Sequence, residues 1–283
     1  MRTEEIHCKT AQDAWDVNSF RKVMNKNTVR TNEDYSTVLG ARSEKRLTAI
    51  DHIGALIDDF TELHGDRLYG DDKAVIAGIG YLGDMPVTVI GIEKGKNTEE
   101  RIFRNFGSAH PEGYRKALRL MKQAEKFSRP VLCFVDTAGA FCGVDAEERG
   151  QGKAIADNLA EMSDLKTPII SVVIGEGGSG GALALCHSDR IWMTEDAYFS
   201  VVSPESCANI LWKDTSRADE AAKALCLTAD KLLELGLIDR ICRKGKLKEM
   251  SDNLKDEFKK LMQMKTDDLI EARYQRFRKV GYR

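Results

Sequence analysis

Five glycines fall within seven positions in Gly175-Glu-Gly-Gly-Ser-Gly-Gly181, directly after the apolar run Ile169-Ile-Ser-Val-Val-Ile174 and before Ala182-Leu-Ala-Leu185. That order predicts a strand, a tight loop and a buried helix beginning near Ser179. Glycine permits positive φ and close approach of another molecule to the main chain, and the first amides of a helix have no acceptor inside it. Such a loop suits an oxygen that is negative or becomes so during a reaction. Three motifs overlay it. Gly175, Gly177 and Gly180 match GxGxxG, with Glu195 about 20 residues on as a ribose ligand, yet that fingerprint opens a nucleotide domain and here lies in mid-chain. Gly177, Ser179 and Gly181 match GxSxG, which would make Ser179 a nucleophile with His187 and Asp189 as partners. His187 would then sit about two turns along the same helix, out of reach of Ser179. A phosphate loop fails because Gly181 stands where its lysine is needed. An oxyanion hole of backbone amides and a small-residue helix packed tightly on a sheet both stay open.

The elements that must position this loop follow a repeated grammar. Pro86, Pro130 and Pro168 each precede an apolar run, and each run is followed by a glycine-containing loop: Glu93-Lys-Gly-Lys, Thr137-Ala-Gly-Ala and Gly175-Glu-Gly-Gly. Runs without alternation suit parallel strands covered on both faces. Helical stripes follow the first two units, one through Tyr114, Ala117, Leu118 and Met121, the other through Ile155, Leu159 and Met162. Parallel neighbours would open all three loops on one sheet edge, the usual place for a ligand. Upstream, the spacing predicts a helix over 48–63 and a hairpin joining 74–81 to 87–92. His52, on that helix, reads as a surface or boundary histidine. Downstream, short strands are expected over 190–194 and 198–202, a helix capped by Ser203 with Pro204 in its first turn, helices over 218–225 and 228–235, and a last strand over 238–242. A long amphipathic helix through Leu247, Met250, Leu254, Phe258 and Leu261 leads to the basic run Arg273-Tyr-Gln-Arg-Phe-Arg-Lys, read as a solvated or subunit-contacting helix. Residues 1–45 are polar and read as a loosely packed arm or partner-binding helix, 46–245 as the core, and 246–283 as C-terminal helices.

Charge is nearly balanced, with 43 basic and 45 acidic side chains and a formal net charge of −2, so a general nucleic-acid or membrane-surface role has no electrostatic support. The N-terminal residues lack the apolar core of a signal peptide and no apolar run approaches membrane-span length, which reads as cytoplasmic. Cys8, Cys133, Cys142, Cys186, Cys207, Cys226 and Cys242 form no CxxC pair. They read as reduced thiols, without a zinc site.

Several blocks together carry a family resemblance: Asp136-Thr-Ala-Gly-Ala-Phe-Cys-Gly143, Ala146-Glu-Glu-Arg-Gly-Gln151, Ile174-Gly-Glu-Gly-Gly-Ser-Gly-Gly-Ala182, Val202-Ser-Pro-Glu-Ser-Cys207 and Ile210-Leu-Trp-Lys213. Arg104-Asn-Phe-Gly107, Pro111-Glu-Gly-Tyr-Arg-Lys-Ala-Leu-Arg-Leu120 and Arg273-Tyr-Gln-Arg276 extend it from about residue 48 to the C-terminus. In this order they resemble the α-subunit family of bacterial acetyl-CoA carboxylase carboxyltransferases. The resemblance implies an α/β crotonase- or Clp-like spiral of ββα units with helical additions at both ends. It implies carboxyl transfer from carboxybiotin on a biotin carboxyl carrier protein to acetyl-CoA, without a metal on this chain. The expected partners are a carboxyltransferase β subunit in an α2β2 assembly, the carrier protein and biotin carboxylase. By motif match Gly139, Ala140, Gly180 and Gly181 supply oxyanion donors, while Phe141, Gly143, Gly178 and Ser179 line the biotin side.

The family commonly reads Asp-Thr-Pro-Gly-Ala-Tyr-Pro-Gly where this chain has Ala138, Phe141 and Cys142, and often has glycine where this chain has Ser206. Losing two prolines frees the unbound loop, and losing a hydroxyl removes a polar contact. Lys94, Lys96, Arg101 and Arg104 are candidates for coenzyme A phosphates or solvated helix charges. Glu147, Glu148 and Arg149 read as structural ion-pair residues rather than acid/base groups, and Glu176 as a loop anchor. A Clp-like serine hydrolase using Ser179 and a non-catalytic scaffold are the alternatives.

Overall fold

Apolar runs without alternation need cover on both faces, and the computed structural model, which describes residues 33–281, supplies it. The elements begin with α1 Glu33–Ala41, α2 Ala49–Leu56, β1 Asp58–Glu62, β2 Val75–Leu82, β3 Met85–Ile92, α3 Thr98–Phe103, α4 Pro111–Lys126 and β4 Val131–Thr137. They continue with α5 Val144–Glu148, α6 Gln151–Asp164, β5 Ile169–Gly178, α7 Ser179–Leu183, β6 Arg190–Thr194, β7 Tyr198–Ser200 and α8 Pro204–Trp212. The last are α9 Ala218–Leu225, α10 Ala229–Glu234, β8 Arg240–Cys242, α11 Leu247–Met262 and α12 Thr266–Arg278.

One sheet runs in the order β1-β2-β3-β4-β5-β6-β8, with β7 beside the end of β5. The β2–β3 hairpin is antiparallel, and β3, β4, β5, β6 and β8 pair parallel in succession. The three proline-headed runs are therefore neighbours, with Thr88 opposite Val131 and Val131 opposite Ile169. Alternate residues of β4 feed opposite faces. Val131, Cys133 and Val135 join a core cluster with Tyr114, Leu120 and Met121 of α4 and Met162 of α6. Leu132 and Phe134 join a second cluster with Ile53 of α2 and Met250, Leu254 and Phe258 of α11. Ser203 caps α8 by accepting from Ser206 N at 3.2 Å, as its sequence suggests.

The upstream part of the chain differs from expectation at three points. The helix expected over 48–63 ends at Leu56, and Asp58–Glu62 pairs antiparallel with β2. Ile57, Phe60 and Leu63 fit a helical stripe, but Asp59 at φ 50° breaks it and Phe60 packs over Gly78, which leaves no room for a side chain. His52 is buried, not at a boundary, with Nδ1 2.8 Å from the Thr48 carbonyl oxygen, and burial depresses its pKa. Most of the 1–45 arm lies outside the described residues; its described helix α1 is firmly seated, with Val38 and Ala41 fully buried.

The C-terminal basic run is also more than a solvated face. Arg273, 1% exposed, donates from Nε and one terminal nitrogen to Asp189 at 2.9 and 2.8 Å and to the carbonyls of Met162, Leu165 and Thr167. All five of its N–H groups are used. Asp189 in turn accepts from Ile169 N at 2.7 Å, so α12 is pinned to the start of β5. Replacing Arg273 by alanine strands a buried carboxylate and three carbonyls; a loss of about 3–5 kcal/mol in urea denaturation is expected.

Candidate active site

Parallel pairing of β4 with β5 sets Thr137 opposite Gly177, so the loops that leave these strands emerge side by side. The glycine run is less of a loop than its composition suggests. β5 continues through Gly178, and Glu176, Gly177 and Gly178 pair with Tyr198, Phe199 and Ser200 of β7. None of the five glycines has positive φ; the residue that does is Ser179, at 52°. Their role is close packing. A methyl group on Gly175 would lie 2.5 Å from Asp136 Oδ1, one on Gly177 would lie 2.8 Å from the Phe199 ring, and one on Gly178 would overlap the Ala138 carbonyl. On Gly181 it would come within 2.5 Å of Ala140 N. Gly180 is different, since its nearest neighbour would be Ile155 Cγ2 at 3.8 Å.

These contacts set Ala140 against the first turn of α7. Among the described residues, no carbonyl or side chain accepts from the Ala140 amide. Gly180 and Gly181 lie in the first turn of α7, where helix geometry provides no intrahelical acceptor and no side chain caps the amides. Gly139 does not belong with them as a donor: its N–H is already given to Thr137 Oγ1 at 3.0 Å, while its carbonyl accepts from the same hydroxyl at 2.8 Å. It is glycine because its φ of 154° excludes side chains. Phe141 is held by its amide on the Ala109 carbonyl and stacks on His110 at 4.0 Å. Gly143 precedes α5 beneath the Phe141 ring, which a side chain there would strike. Gly178 ends β5, and Ser179 and Cys142 are exposed.

Beneath the loops lies a charge network that ties all three strand ends together. Glu176, 2% exposed, accepts from Arg42 Nε at 3.0 Å, Tyr198 OH at 2.6 Å and Lys94 Nζ. Its amide donates to Asp136 at 3.1 Å, and Asp136 pairs with Arg46. Arg42 also bonds Glu205 through two nitrogens at 2.6 and 3.2 Å, and Tyr35 donates to Glu205 at 3.0 Å. Burial would raise the Glu176 carboxyl, but Lys94, Arg42 and Tyr198 outweigh it and hold it at about 2. Burial and Glu176 together push the Tyr198 phenol well up.

Lys94 is thus a buried partner of Glu176 and not a solvated or phosphate-facing charge. Lys96 pairs with Asp51, Arg101 bonds the Gly95 carbonyl, and Arg104 bonds the Lys73 carbonyl. Arg149 is a structural ion-pair residue, bonded to Glu112 at 3.0 Å and Asp145 at 3.1 Å, whereas Glu147 and Glu148 are exposed. Arg42, Arg46, Tyr35 and Tyr198 escaped the sequence reading. The available signal was Glu176 itself: a carboxylate inside an apolar, glycine-rich run needs cations brought to it.

The serine-hydrolase arrangement is not present. His187 stacks on Phe277 at 3.9 Å and lies 3.0 Å from Ser163 Oγ, with its pKa pushed down to about 4 by burial and by Arg273 and Arg276, while Asp189 is occupied by Arg273. Among the described residues no cluster of His, Cys, Asp and Glu could hold a metal ion, and no helix is long and apolar enough to cross a membrane.

A family model described as acetyl co-enzyme A carboxylase carboxyltransferase-like matches residues 2–281. An acetyl-coenzyme A carboxylase carboxyl transferase subunit alpha from Ruminiclostridium cellulolyticum is 54% identical over 253 residues, spanning 87% of this chain and 97% of the relative. One from Streptococcus thermophilus is 58% identical over 245 residues, spanning 84% and 96%. The chain belongs to the acetyl-CoA carboxylase carboxyltransferase α-subunit family. Its crotonase-like fold is shared with the solved transcarboxylase 12S, at TM-score 0.65 and 19% identity over 81% of this chain and 45% of that one. The Pseudomonas malonate decarboxylase MdcD-MdcE hetero-dimer is also similar, at TM-score 0.57 and 21% identity over 76% and 86%. Within this carboxyltransferase family framework, the facing loops and the network beneath them form one unit.

The folded Glu176 carboxyl lies below its ordinary value of 4.5, so its contribution to stability is complete above about pH 4.5 and is lost as pH falls through about 2. Glu176→Gln should unfold about 3–5 kcal/mol more easily at neutral pH, with the gap narrowing in denaturation series below about pH 4.5. Gly181→Ala should destabilise by about 1–3 kcal/mol through overpacking. Gly180→Ala, with room for its methyl, should be neutral or stabilise by about 0.4–1 kcal/mol in the same melts.

Proposed function

We propose that this chain is the α subunit of an acetyl-CoA carboxylase carboxyltransferase. With a β subunit, in an α2β2 assembly, it transfers the carboxyl group from carboxybiotin on the biotin carboxyl carrier protein to acetyl-CoA, yielding malonyl-CoA for cytoplasmic fatty acid synthesis. Biotin carboxylase completes the wider complex. The observation that carries this reading is 54% identity across 97% of a relative bearing that name.

The residues fit the chemistry. The unpaired Ala140 amide and the first-turn amides of α7 at Gly180 and Gly181 suit an oxygen that gains negative charge, and fixed donors aimed at developing charge are a large source of rate acceleration. When bound, carboxybiotin supplies the carboxyl group and then the base for the α-proton of acetyl-CoA. Ala140 and the first turn of α7 hold the developing charge on the biotin side, framed by Phe141, Gly143, Gly178 and Ser179. The Glu176 network keeps those donors fixed without itself exchanging protons, since the carboxyl stays ionised at working pH. The acetyl-CoA enolate is held mainly by the β subunit, so this chain is half of a composite site.

Purified chain mixed with a matching β subunit should move the carboxyl group between malonyl-CoA and free biotin, and neither subunit should do so alone. Gly180→Leu should still fold and assemble but lose roughly 100- to 1000-fold in turnover, because the side chain covers the donors. Unchanged turnover would make this chain a scaffold.

A further inference from the structure

Tyr114, in the first turn of α4, is 0% exposed, and its ring lies in the larger core cluster. Its hydroxyl has no hydrogen-bond partner among the described residues. A buried hydroxyl without a partner lowers stability relative to phenylalanine in the same place, so packing accounts for the ring and not for the oxygen. Burial and nearby Asp72 push the phenol pKa far up, which keeps the group a protonated donor.

Its place in the fold is informative. A methyl group on Gly181 would lie 2.9 Å from this oxygen, 2.9 Å from the Gly139 carbonyl carbon and 2.5 Å from Ala140 N. The hydroxyl and the Gly139–Ala140 peptide therefore crowd the same point over Gly181, in the seam between the two loops. That peptide carries the unpaired Ala140 N–H at one end. At the other, its carbonyl accepts from Thr137 Oγ1 at 2.8 Å and retains a second lone pair.

Resting on the carboxyl-transfer reading above, we propose that Tyr114 is a positioning residue for the Ala140 donor: as an anionic ureido oxygen draws on that N–H, the hydroxyl closes onto the Gly139 carbonyl beside Thr137. Hydrogen bonds chained through one peptide strengthen each other, so a carbonyl gripped by two hydroxyls presents a more polarised N–H. The movement is a tightening of adjacent groups, as occurs when an open site takes its ligand.

The test is Tyr114→Phe in the assembled α–β complex, assayed beside wild type for transfer between malonyl-CoA and free biotin. A fall of roughly 10-fold in kcat is expected, a fraction of the roughly 100- to 1000-fold loss of a whole oxyanion donor. KM for malonyl-CoA should stay within about twofold, and the melting temperature should hold or rise. A kcat equal to wild type overturns the inference. So does a drop in melting temperature alongside the drop in rate, since the hydroxyl would then have had a partner in the free chain. A wild-type complex that transfers nothing removes the carboxyl-transfer reading and this inference with it; an active wild type matched by the variant removes the inference alone.

Discussion

A fully buried carboxylate must be met by cations and hydrogen-bond donors, and the mouth of this sheet is built around that requirement at Glu176. Its partners come from distant parts of the chain: Arg42 from 134 residues upstream, Lys94 from 82 upstream and Tyr198 from 22 downstream. Each belongs to a different element. Lys94 brings the end of β3, Tyr198 begins β7, and Arg42 follows α1 and reaches onward to α8 through Glu205. Because the Glu176 amide also bonds Asp136, the same residue couples the ends of β4 and β5. The loops above inherit their spacing from this arrangement. Buried networks with this many paired members rigidify their surroundings, which suits a site whose chemistry uses main-chain donors.

The glycines then divide by physical cause. Gly175, Gly177, Gly178 and Gly181 are small because another chain segment occupies the space a side chain would need. Gly139 is glycine because of its backbone angle. Gly180 has neither constraint within the chain, so the space beside it is free for something else. Glycines alike in composition thus occupy three kinds of position, and only Gly180 combines free space with a backbone angle open to other residues.

Much of the architecture was legible. Three proline-headed apolar runs without alternation do form adjacent parallel strands, and the hairpin, the Ser203 cap and the long α11 stripe follow local rules that tertiary packing reinforces. The loops of the site were legible as loops of small residues, but their hydrogen bonding was not. Nothing in Asp136-Thr-Ala-Gly-Ala140 reveals that the Thr137 hydroxyl takes the Gly139 amide and leaves the next one open. The 48–63 stretch misled because its apolar spacing fits a helix along its whole length, whereas pairing with β2 claims the second half. Long-range ion pairs were the least readable: a polar stretch gives no sign that Arg42 and Arg46 end in contacts with the buried carboxylates of Glu176 and Asp136.

The Arg273 clamp has a bearing on how the protein is made. Asp189 precedes its partner by 84 residues, so on the ribosome the carboxylate emerges long before the guanidinium that will cover it. At roughly 5–20 residues per second, the interval is on the order of 4 to 17 seconds. Throughout it the nascent sheet has β4 and β5 in hand but lacks the clamp at the base of β5, and the α11 cover over one face arrives only late in the interval. The final docking step therefore belongs to the period after α12 has cleared the exit tunnel.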